Sequence, residues 1–220
     1  MPRAREGKST RECVLDVAER HFAERGFAGV SMREIAAETG LRNQASLYNH
    51  FASKQALYEA VLRRGLEPIV ALMVESREAG AARAAVVASI EKMLDYLAEH
   101  PELPLLIQRV ALDDSRRLHG TVTKLLRPVF TEGLTALAAT ATTRPPDELP
   151  YLALGLYHLI FGYFANVQLL EIVGQPEPLG RAALARQRAF VSNAVAQLLE
   201  PPRRASGKLR VARRTKPSDR

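Results

Sequence analysis

The stretch SMREIAAETGLRNQASLYNHFASK, residues 31–54, decides the fold of this chain. Its first residues, Ser31 and Glu34, form an S-x-x-E capping box, in which each side chain bonds a free backbone N–H of the other residue at a helix start. Gly40 can adopt the left-handed conformation that ends a helix. The stretch therefore predicts a short helix, a tight turn and a second short helix.

The second of these helices has one apolar and one polar face. Leu47 and Phe51 are one helical turn apart, so both can face a core. The residues that then point away from the core are Ala45, Ser46, Tyr48 and Asn49. This is the layout of a helix-turn-helix, whose second helix enters the major groove of DNA.

Several segments together resemble the N-terminal DNA-binding domain of the tetracycline-repressor (TetR) family. They are Phe22, ERGF (24–27), SMREIA (31–36), Gly40 and LYNHFASK (47–54). The similarity extends over roughly residues 10–62, and L-Y-x-x-F-x-x-K is its most specific part. It implies an all-α protein, with an N-terminal three-helix helix-turn-helix DNA-binding domain and a larger C-terminal helical domain for ligand binding and dimerisation.

The turn before the second helix departs from the family pattern. The family places the helix cap two residues after the turn glycine, as in G-V-S. Here the best capping residue is Asn43, three residues after Gly40, because asparagine is among the strongest N-caps. Arg42 is then an extra turn residue, and residues 44–46 form the first helical turn. A helix start at Arg42 is the alternative, and it would change the angle of the helix in the groove.

Polar residues on and near the second helix are the candidate DNA contacts. The helix face and the resemblance assign base recognition to Arg33, Arg42, Gln44, Ala45, Ser46 and Asn49. Such polar groups bind base edges, and an alanine methyl can contact thymine. The candidates for phosphate contacts, which position a protein without recognising sequence, are Ser31, Tyr48, His50 and Lys54. The alternative for LYNHF is a core stripe, and we accept it for Leu47 and Phe51.

The positive charge of the chain lies in its C-terminal tail. The net charge is +7, and residues 203–220 hold eight Lys/Arg and one Asp, so the remaining 202 residues are neutral. The tail has few apolar residues, which predicts disorder. It either binds DNA phosphates without sequence preference or only makes the chain more soluble. Near the predicted DNA face, residues 39–58 contain no acid.

The motifs of other protein classes are absent from the sequence. One cysteine permits no internal disulfide, and the N-terminus has no apolar signal segment, so we expect a cytoplasmic protein. No phosphate loop, nucleophile elbow or C-x-x-C pair occurs, and we predict no enzyme, no catalytic residue and no cofactor. Asp113, Asp114 and His119 lack the spacing of metal ligands, so no metal site is expected.

Helical periodicity continues along the chain, and the alternation typical of strands is absent. Helices are predicted near 9–25, 31–39, 43–50, 54–78, 81–99, 102–113, 115–141, 147–173 and 180–200. The predicted organisation is a flexible N-terminus (1–8), a helix-turn-helix domain (9–53), a helical ligand-binding and dimerisation domain (54–200) and a disordered basic tail (201–220). Helix 54–78, capped by Ser53, connects the two domains.

Residues 151–173 form the most apolar run of the chain. Its length approaches that of a transmembrane helix. Polar residues interrupt it at His158, Asn166, Gln168 and Glu171, which favours a buried helix of a homodimer over a membrane span. Gly155 and Gly162 would allow a partner helix to approach closely. The resemblance implies dimerisation through the last two helices, near 147–173 and 180–200, where the final helix has an apolar face of Leu184, Phe190, Val191, Val195 and Leu198.

Aromatic, sulfur and polar side chains recur on the predicted inward faces of the larger domain. The candidates for a ligand pocket are Met73, Met93, Tyr96, Phe130, Tyr157, His158, Phe161, Phe164 and Asn166. Together they would give an apolar cavity with a few polar groups, the usual composition of a small-molecule site. The alternative is plain core. A ligand of such a pocket would be lipophilic and not highly charged.

The sequence therefore predicts a DNA-binding transcriptional regulator, specifically a repressor, that acts as a homodimer on double-stranded DNA. A small lipophilic effector would release it from a pseudo-palindromic operator, whose half-sites lie about 34–36 Å apart. One alternative is a DNA-binding protein of the same fold without an effector. Another, from a different class, is a helical membrane-associated protein.

Overall fold

A computed structural model describes residues 8–200 except 42, 81, 113–115, 142 and 143. Its α-helices are α1 (Thr10–Arg25), α2 (Met32–Glu38), α3 (Gln44–Tyr48), α4 (Lys54–Glu78), α5 (Arg83–Glu99), α6 (Glu102–Leu112), α7 (Arg116–Thr140), α8 (Leu149–Ala165), α9 (Val167–Ile172) and α10 (Arg181–Leu198). A 3₁₀ turn, Pro146–Glu148, precedes α8. Within the described ranges there is no strand, which confirms the all-α prediction.

Some predictions concern residues outside this description. They are Arg42, Asp113, Asp114, the side chain of His119, the tail 201–220 and most of the N-terminal segment 1–8. The domain limits at 53 and 200 remain predictions as well, since the fold by itself does not divide α4 between two units.

A short polar side chain caps the N-terminus of each of the first four helices. Ser9, Ser31, Asn43 and Ser53 each accept a hydrogen bond from the backbone N–H three residues later. An N-cap of this kind typically contributes about 1 kcal/mol, because it satisfies a donor that the helix leaves free. The caps at Ser31, Asn43 and Ser53 were predicted. The capping box of Ser9 and Glu12 was not, although it has the same S-x-x-E pattern.

Helices α1 to α3 and the start of α4 share one aromatic core. The Tyr58 ring lies edge-on to Phe22 with centroids 4.9 Å apart, and Phe27 packs against Tyr58 at 5.1 Å. Leu47 and Phe51 are buried beneath the turn, as the sequence predicts. Full burial of such a side chain contributes about 1.5–3 kcal/mol. This core holds α3 on the outside of the molecule.

The larger body is built around α4. This helix contacts α1, α5, α6 and α7, while α8 contacts α5, α6, α7 and α10. Helices α4 and α6 approach closely at Gly65, where an added Cβ would lie 2.5 Å from Leu103 Cδ1. Ile69 and Leu66 of α4 are buried in this body.

Polar contacts also join α1 to the body. Arg64 of α4 donates to Asp16 Oδ1 at 2.8 Å and to a Glu19 carboxylate oxygen. Arg109 of α6 donates to the carbonyl of Ala23 in the last turn of α1. These contacts fix the small N-terminal unit against α4 and α6.

The predicted continuous helix over 147–173 is wrong. Asn166 has φ −123° and ψ 34°, and its Nδ2 donates to the Gly162 carbonyl at 2.8 Å. This side chain competes for a carbonyl of the helix and separates α8 from the short α9. None of the helices in the described part of the chain has both the length and the hydropathy of a transmembrane span.

The predicted apolar face of the last helix is only partly correct. Val191 and Val195 are fully buried, and Leu184 and Leu198 are half-buried against the same core. Phe190 instead has 60% of its surface exposed. The two residues Phe190 and Val191 are adjacent, so a helix turns them about 100° apart.

Candidate nucleic-acid interface

Helix α2 begins and ends as the sequence predicts. Ser31 Oγ accepts from the Glu34 N–H at 3.2 Å, and the Ser31 N–H donates to Glu34 Oε2 at 2.9 Å. At the other end Gly40 has φ 74°, a value that favours glycine. The Leu41 N–H donates to the Ala36 carbonyl at 3.0 Å, as in a Schellman motif. These bonds fix the direction in which the chain enters α3.

Asn43 is the N-cap of α3. Its Oδ1 accepts from the Ser46 N–H at 2.9 Å and from the Ser46 hydroxyl at 3.1 Å. The helix starts at Gln44, which confirms the predicted cap and first turn. Because the Ser46 hydroxyl is engaged in the cap, its capacity for a base contact is reduced to its remaining lone pairs.

The outer face of α3 is polar and accessible. Ala45, Asn49 and His50 are exposed, and Tyr48 has 45% of its surface exposed. Gln44 is half-buried, and its Nε2 donates to the Tyr48 hydroxyl at 3.2 Å. That bond orients both side chains, which lie one turn apart. Arg33 is exposed on the second residue of α2.

The phosphate candidates differ in how freely they can move. His50 and Tyr48 are exposed, whereas the Ser31 hydroxyl donates to Glu34 at 2.9 Å. The Lys54 ammonium lies 4.5 Å from the centroid of the Phe27 ring. Burial lowers the pKa of Lys54, and the Glu34 carboxylate opposes this shift. A cation–π contact holds the ammonium in place, so Lys54 follows a phosphate less freely than an exposed lysine does.

A network of charged side chains joins α1 to α2. Arg25 donates to Nδ1 of His21, so the ring hydrogen lies on Nε2, which donates to Glu38 Oε2 at 2.6 Å. Arg20 also pairs with Glu38, and Arg25 Nη1 donates to Glu34 Oε1 at 3.2 Å. Hydrogen bonding to His21 lowers the pKa of Glu38. The network therefore neutralises both acids of α2, which would otherwise repel phosphate.

The body contains a cavity of about 100 Å³ between α4, α5, α7 and α8. Of the nine pocket candidates, the structure places Met73, Met93, Phe130, Tyr157 and Phe161 in its wall. Ser76 and Ser89 also line it and are not among the residues predicted from the sequence. Short hydroxyl side chains on amphipathic helices give no signal in sequence that separates them from surface serines.

The other four pocket candidates lie elsewhere, which corrects their predicted position. The Tyr96 hydroxyl donates to the Gly65 carbonyl at 3.2 Å, and Asn166 is the residue that ends α8. His158 is exposed, since it follows Tyr157 on the next face of the helix. Phe164 is buried one turn beyond Phe161, beside a groove between α5 and α10.

One side of α8 is exposed and partly apolar. Tyr151, Leu154, Gly155 and His158 are exposed and follow the i, i+3, i+4, i+7 spacing of one helix face. Phe190 of α10 is exposed as well. A side chain added at Gly155 would meet no atom of the described chain within 4 Å. This face has the form of a surface that a second helix can cover.

Comparison with known proteins identifies the N-terminal unit. Residues 14–61 match the family described as bacterial regulatory proteins, tetR family. The chain belongs to the TetR family of transcriptional regulators. The HTH-type transcriptional regulator RutR of Escherichia coli K12 is 28% identical over 197 residues, which are 88% of both chains.

Other TetR-family similarities are stronger over shorter lengths or concern the fold alone. The HTH-type transcriptional repressor KstR2 of Rhodococcus jostii is 41% identical over 64 residues, 29% of this chain and 31% of that protein. The fatty acid degradation regulator FadR from Bacillus halodurans has the same fold, with a TM-score of 0.66 at 14% identity over 89% of this chain and 96% of that one. These proteins are regulators of transcription and not enzymes.

The capping box of this TetR-family domain predicts a pH dependence of stability. The Ser31 backbone N–H, followed by the Ser31 hydroxyl and Arg25, lowers the pKa of Glu34 from 4.5 to about 2. The folded state therefore binds the proton less tightly than the unfolded chain. The resulting stabilisation is complete above pH 4.5 and is lost as the pH falls toward 2.

Glu34→Gln should remove this dependence, because glutamine keeps a capping oxygen but carries no charge. We expect the Tm of the wild type to exceed that of Glu34→Gln at pH 7, and the difference to shrink by pH 3. Glu177→Gln, on the surface of the body, controls for a general effect of carboxylate removal. An equal Tm difference at both pH values would contradict the prediction.

Proposed function

We propose that this protein binds a pseudo-palindromic operator as a homodimer and represses transcription until a small lipophilic effector binds its body. The observation that carries the proposal is the polar, exposed face of α3, held outward by the Asn43 cap and the buried Leu47. A recognition helix uses such a face in the major groove, with its first residues at the base edges.

The candidate groups on and near α3 divide into two proposed roles. The residues proposed to contact bases are Arg33, Gln44, Ala45 and Asn49. Ser46 is proposed as well, through the lone pairs of its hydroxyl that remain free. Arg42 is proposed for the same role from sequence alone. Tyr48, His50, Lys54 and the backbone at Ser31 are proposed to contact phosphates. The bond from Gln44 to Tyr48 supports a coupled role, because a phosphate contact by Tyr48 would orient the Gln44 amide.

The test of DNA recognition starts from protection of genomic DNA fragments by the purified protein. The expected result is a protected palindrome. Asn49→Ala should then weaken operator binding by about 5- to 150-fold, the equivalent of about 1–3 kcal/mol for one good base contact, and leave binding to unrelated DNA nearly unchanged. The control is Thr131→Ala, which removes an exposed polar side chain of α7. The proposal fails if no fragment is protected, or if Asn49→Ala and the control variant bind the operator with the same affinity.

The exposed face of α8 and the exposed Phe190 support dimerisation through α8 and α10. Two copies related by a twofold axis would cover this face and present two α3 helices to successive major grooves. Sedimentation should give twice the mass of one chain. Gly155→Arg should shift the chain toward the monomer, because its side chain would occupy the space of the partner helix. A monomeric wild type at micromolar concentration would exclude this arrangement.

The effector is proposed to act from the cavity between α4, α5, α7 and α8. It can release DNA only if it binds more tightly to a conformation that fits the operator less well. The second candidate is a regulator without an effector, in which the basic tail adds grip on phosphate. It predicts that deletion of residues 203–220 strongly reduces the salt dependence of DNA binding.

A further inference from the structure

The cavity between α4, α5, α7 and α8 has an apolar wall with hydroxyls as its polar groups. The rings of Tyr157 and Phe161 lie in its wall with centroids 5.0 Å apart and nearly parallel. The polar side chains in the described lining are Ser76, Ser89 and Tyr157, and none of the described lining residues is charged. The cavity is therefore suited to an uncharged ligand, because a buried charge without a partner is strongly unfavourable.

Ser76 is the unusual group of this cavity. It is 6% exposed, and its Oγ has no hydrogen-bond partner in the described part of the chain. A helical serine ordinarily donates to the carbonyl four residues earlier, which here belongs to Leu72. Ser89 already donates to that carbonyl at 2.7 Å, and the helix bond within α4 also ends there. Both lone pairs of the carbonyl are thus in use, and the Ser76 hydroxyl is left beside the cavity.

We infer that the cavity binds a compact, uncharged molecule of about one aromatic ring, whose hydrogen-bonding group pairs with the Ser76 hydroxyl. This inference rests on the proposed role of the cavity as the effector site, and it adds the chemical class of the ligand. A ligand of this class would satisfy the one buried hydroxyl of the wall that lacks a partner. Burial of an unpaired hydroxyl is unfavourable, so the pairing contributes to affinity.

The size of the cavity sets the size of the ligand. Its volume is about 100 Å³, whereas an apolar protein cavity of about 150 Å³ is known to hold benzene. A single ring fits after small movements of Met73 and Met93, which are flexible side chains of the wall. Burial also raises the pKa of the Tyr157 phenol, which indicates surroundings that oppose negative charge. Because none of the described lining residues is charged, a carboxylate ligand lies outside the class.

Three small probes separate these requirements. Phenol is uncharged at pH 7 and has a hydroxyl, toluene has the same number of heavy atoms and none, and benzoate carries a charge. Titration calorimetry of the full chain without DNA should give an affinity for phenol about tenfold above that for toluene, the effect of one net hydrogen bond. Benzoate should bind more weakly than both.

Variants then locate the hydrogen bond. Ser76→Ala should lower the affinity for phenol to that for toluene and leave toluene unchanged. Ser192→Ala, which removes a serine bonded to Glu91 outside the cavity, should leave all three affinities unchanged. Without a ligand, Ser76→Ala should raise the Tm, because it removes an unpaired buried hydroxyl from a helix and introduces the best helix former. Tighter binding of benzoate, no binding of phenol at millimolar concentration, or an unchanged preference for phenol in Ser76→Ala would overturn the inference.

The role of the cavity in regulation is measured separately. Fluorescence anisotropy of a protected DNA fragment shows whether phenol releases the protein. Ser76-dependent binding of phenol without release of DNA would support the ligand class and contradict the effector proposal for that ligand. If none of the probes binds while operator binding is intact, the inferred ligand class is wrong and the proposed DNA-binding function stands.

Discussion

Replacing Arg64 with methionine is expected to lower the free energy of unfolding by about 3 kcal/mol. Arg64 Nη1 donates to Asp16 Oδ1 at 2.8 Å, and Nη2 donates to Glu19. Glu19 is 8% exposed, so the variant leaves a buried carboxylate without its cation. Asp16 is affected less by the substitution, because Lys8 Nζ lies 2.7 Å from its other carboxylate oxygen, Oδ2. Breaking a fully buried pair costs about 3–5 kcal/mol, and the 32% exposure of the Arg64 side chain places this one at the lower end.

Urea unfolding at pH 7 measures this effect. The matched control is Arg20→Met, which breaks an arginine–glutamate pair with Glu38 on the other side of α1. Both side chains of that pair are about two-fifths exposed, so its loss should cost less than 1 kcal/mol. The double variant Arg64→Met, Glu19→Leu should recover most of the stability, because two apolar side chains then replace the buried pair. Equal losses in the two arginine variants, or no recovery in the double variant, would contradict the explanation.

The contact of Arg64 with α1 joins the N-terminal unit to a helix that lines the cavity. Arg64 lies on α4, which also lines the cavity through Met73 and Ser76, and Arg109 holds the end of α1 from α6. The N-terminal unit is thus fixed to the helices that surround the cavity. A change of α4 that moves Arg64 would displace α1, and with it the α3 helix that packs on the same core.

Local rules explain why the helix-turn-helix was predictable. A cap, a glycine turn and a pair of buried residues one turn apart each depend on neighbours within about four residues. The structure therefore agrees with the sequence at Ser31, Gly40, Asn43 and Leu47. The extra residue of the turn could also be predicted from the sequence, because asparagine at position 43 is a stronger cap than its neighbours.

Contacts between distant residues were not predictable in the same way. Arg64 is 48 residues from Asp16, and Arg109 is 86 residues from Ala23. Their partners depend on how whole helices pack, and hydrophobic periodicity gives only the face of each helix. The break at Asn166 was missed because apolar residues on both sides conceal it. The cavity wall was predicted only in part, because periodicity gives the faces of a helix and not which face lines a cavity. Tyr157 and Phe161 share a helix face, whereas His158 lies on another.

Leu47→Ala is expected to lower the free energy of unfolding by about 2–5 kcal/mol. Leu47 is completely buried and is the buried residue of α3. A helix of five residues is far too short to form by itself, so its position depends on that contact and on Phe51 behind it. Urea unfolding measures the loss. Arg63→Ala, at an exposed arginine of α4, is the control and should stay within about 0.5 kcal/mol of the wild type.

The same variant separates the position of α3 from its chemistry. Every proposed base-contacting group of α3 is still present in Leu47→Ala, so a loss of operator binding can come only from its placement. Measured where the variant is folded by circular dichroism, operator affinity should fall by more than that of Asn49→Ala. Binding to unrelated DNA should fall less, because His50 and Lys54 lie beyond the end of α3 and are proposed to contact phosphates, which carry no sequence information. If both affinities fell together, α3 would not be the element that distinguishes the operator, and recognition would have to come from α2 through Arg33.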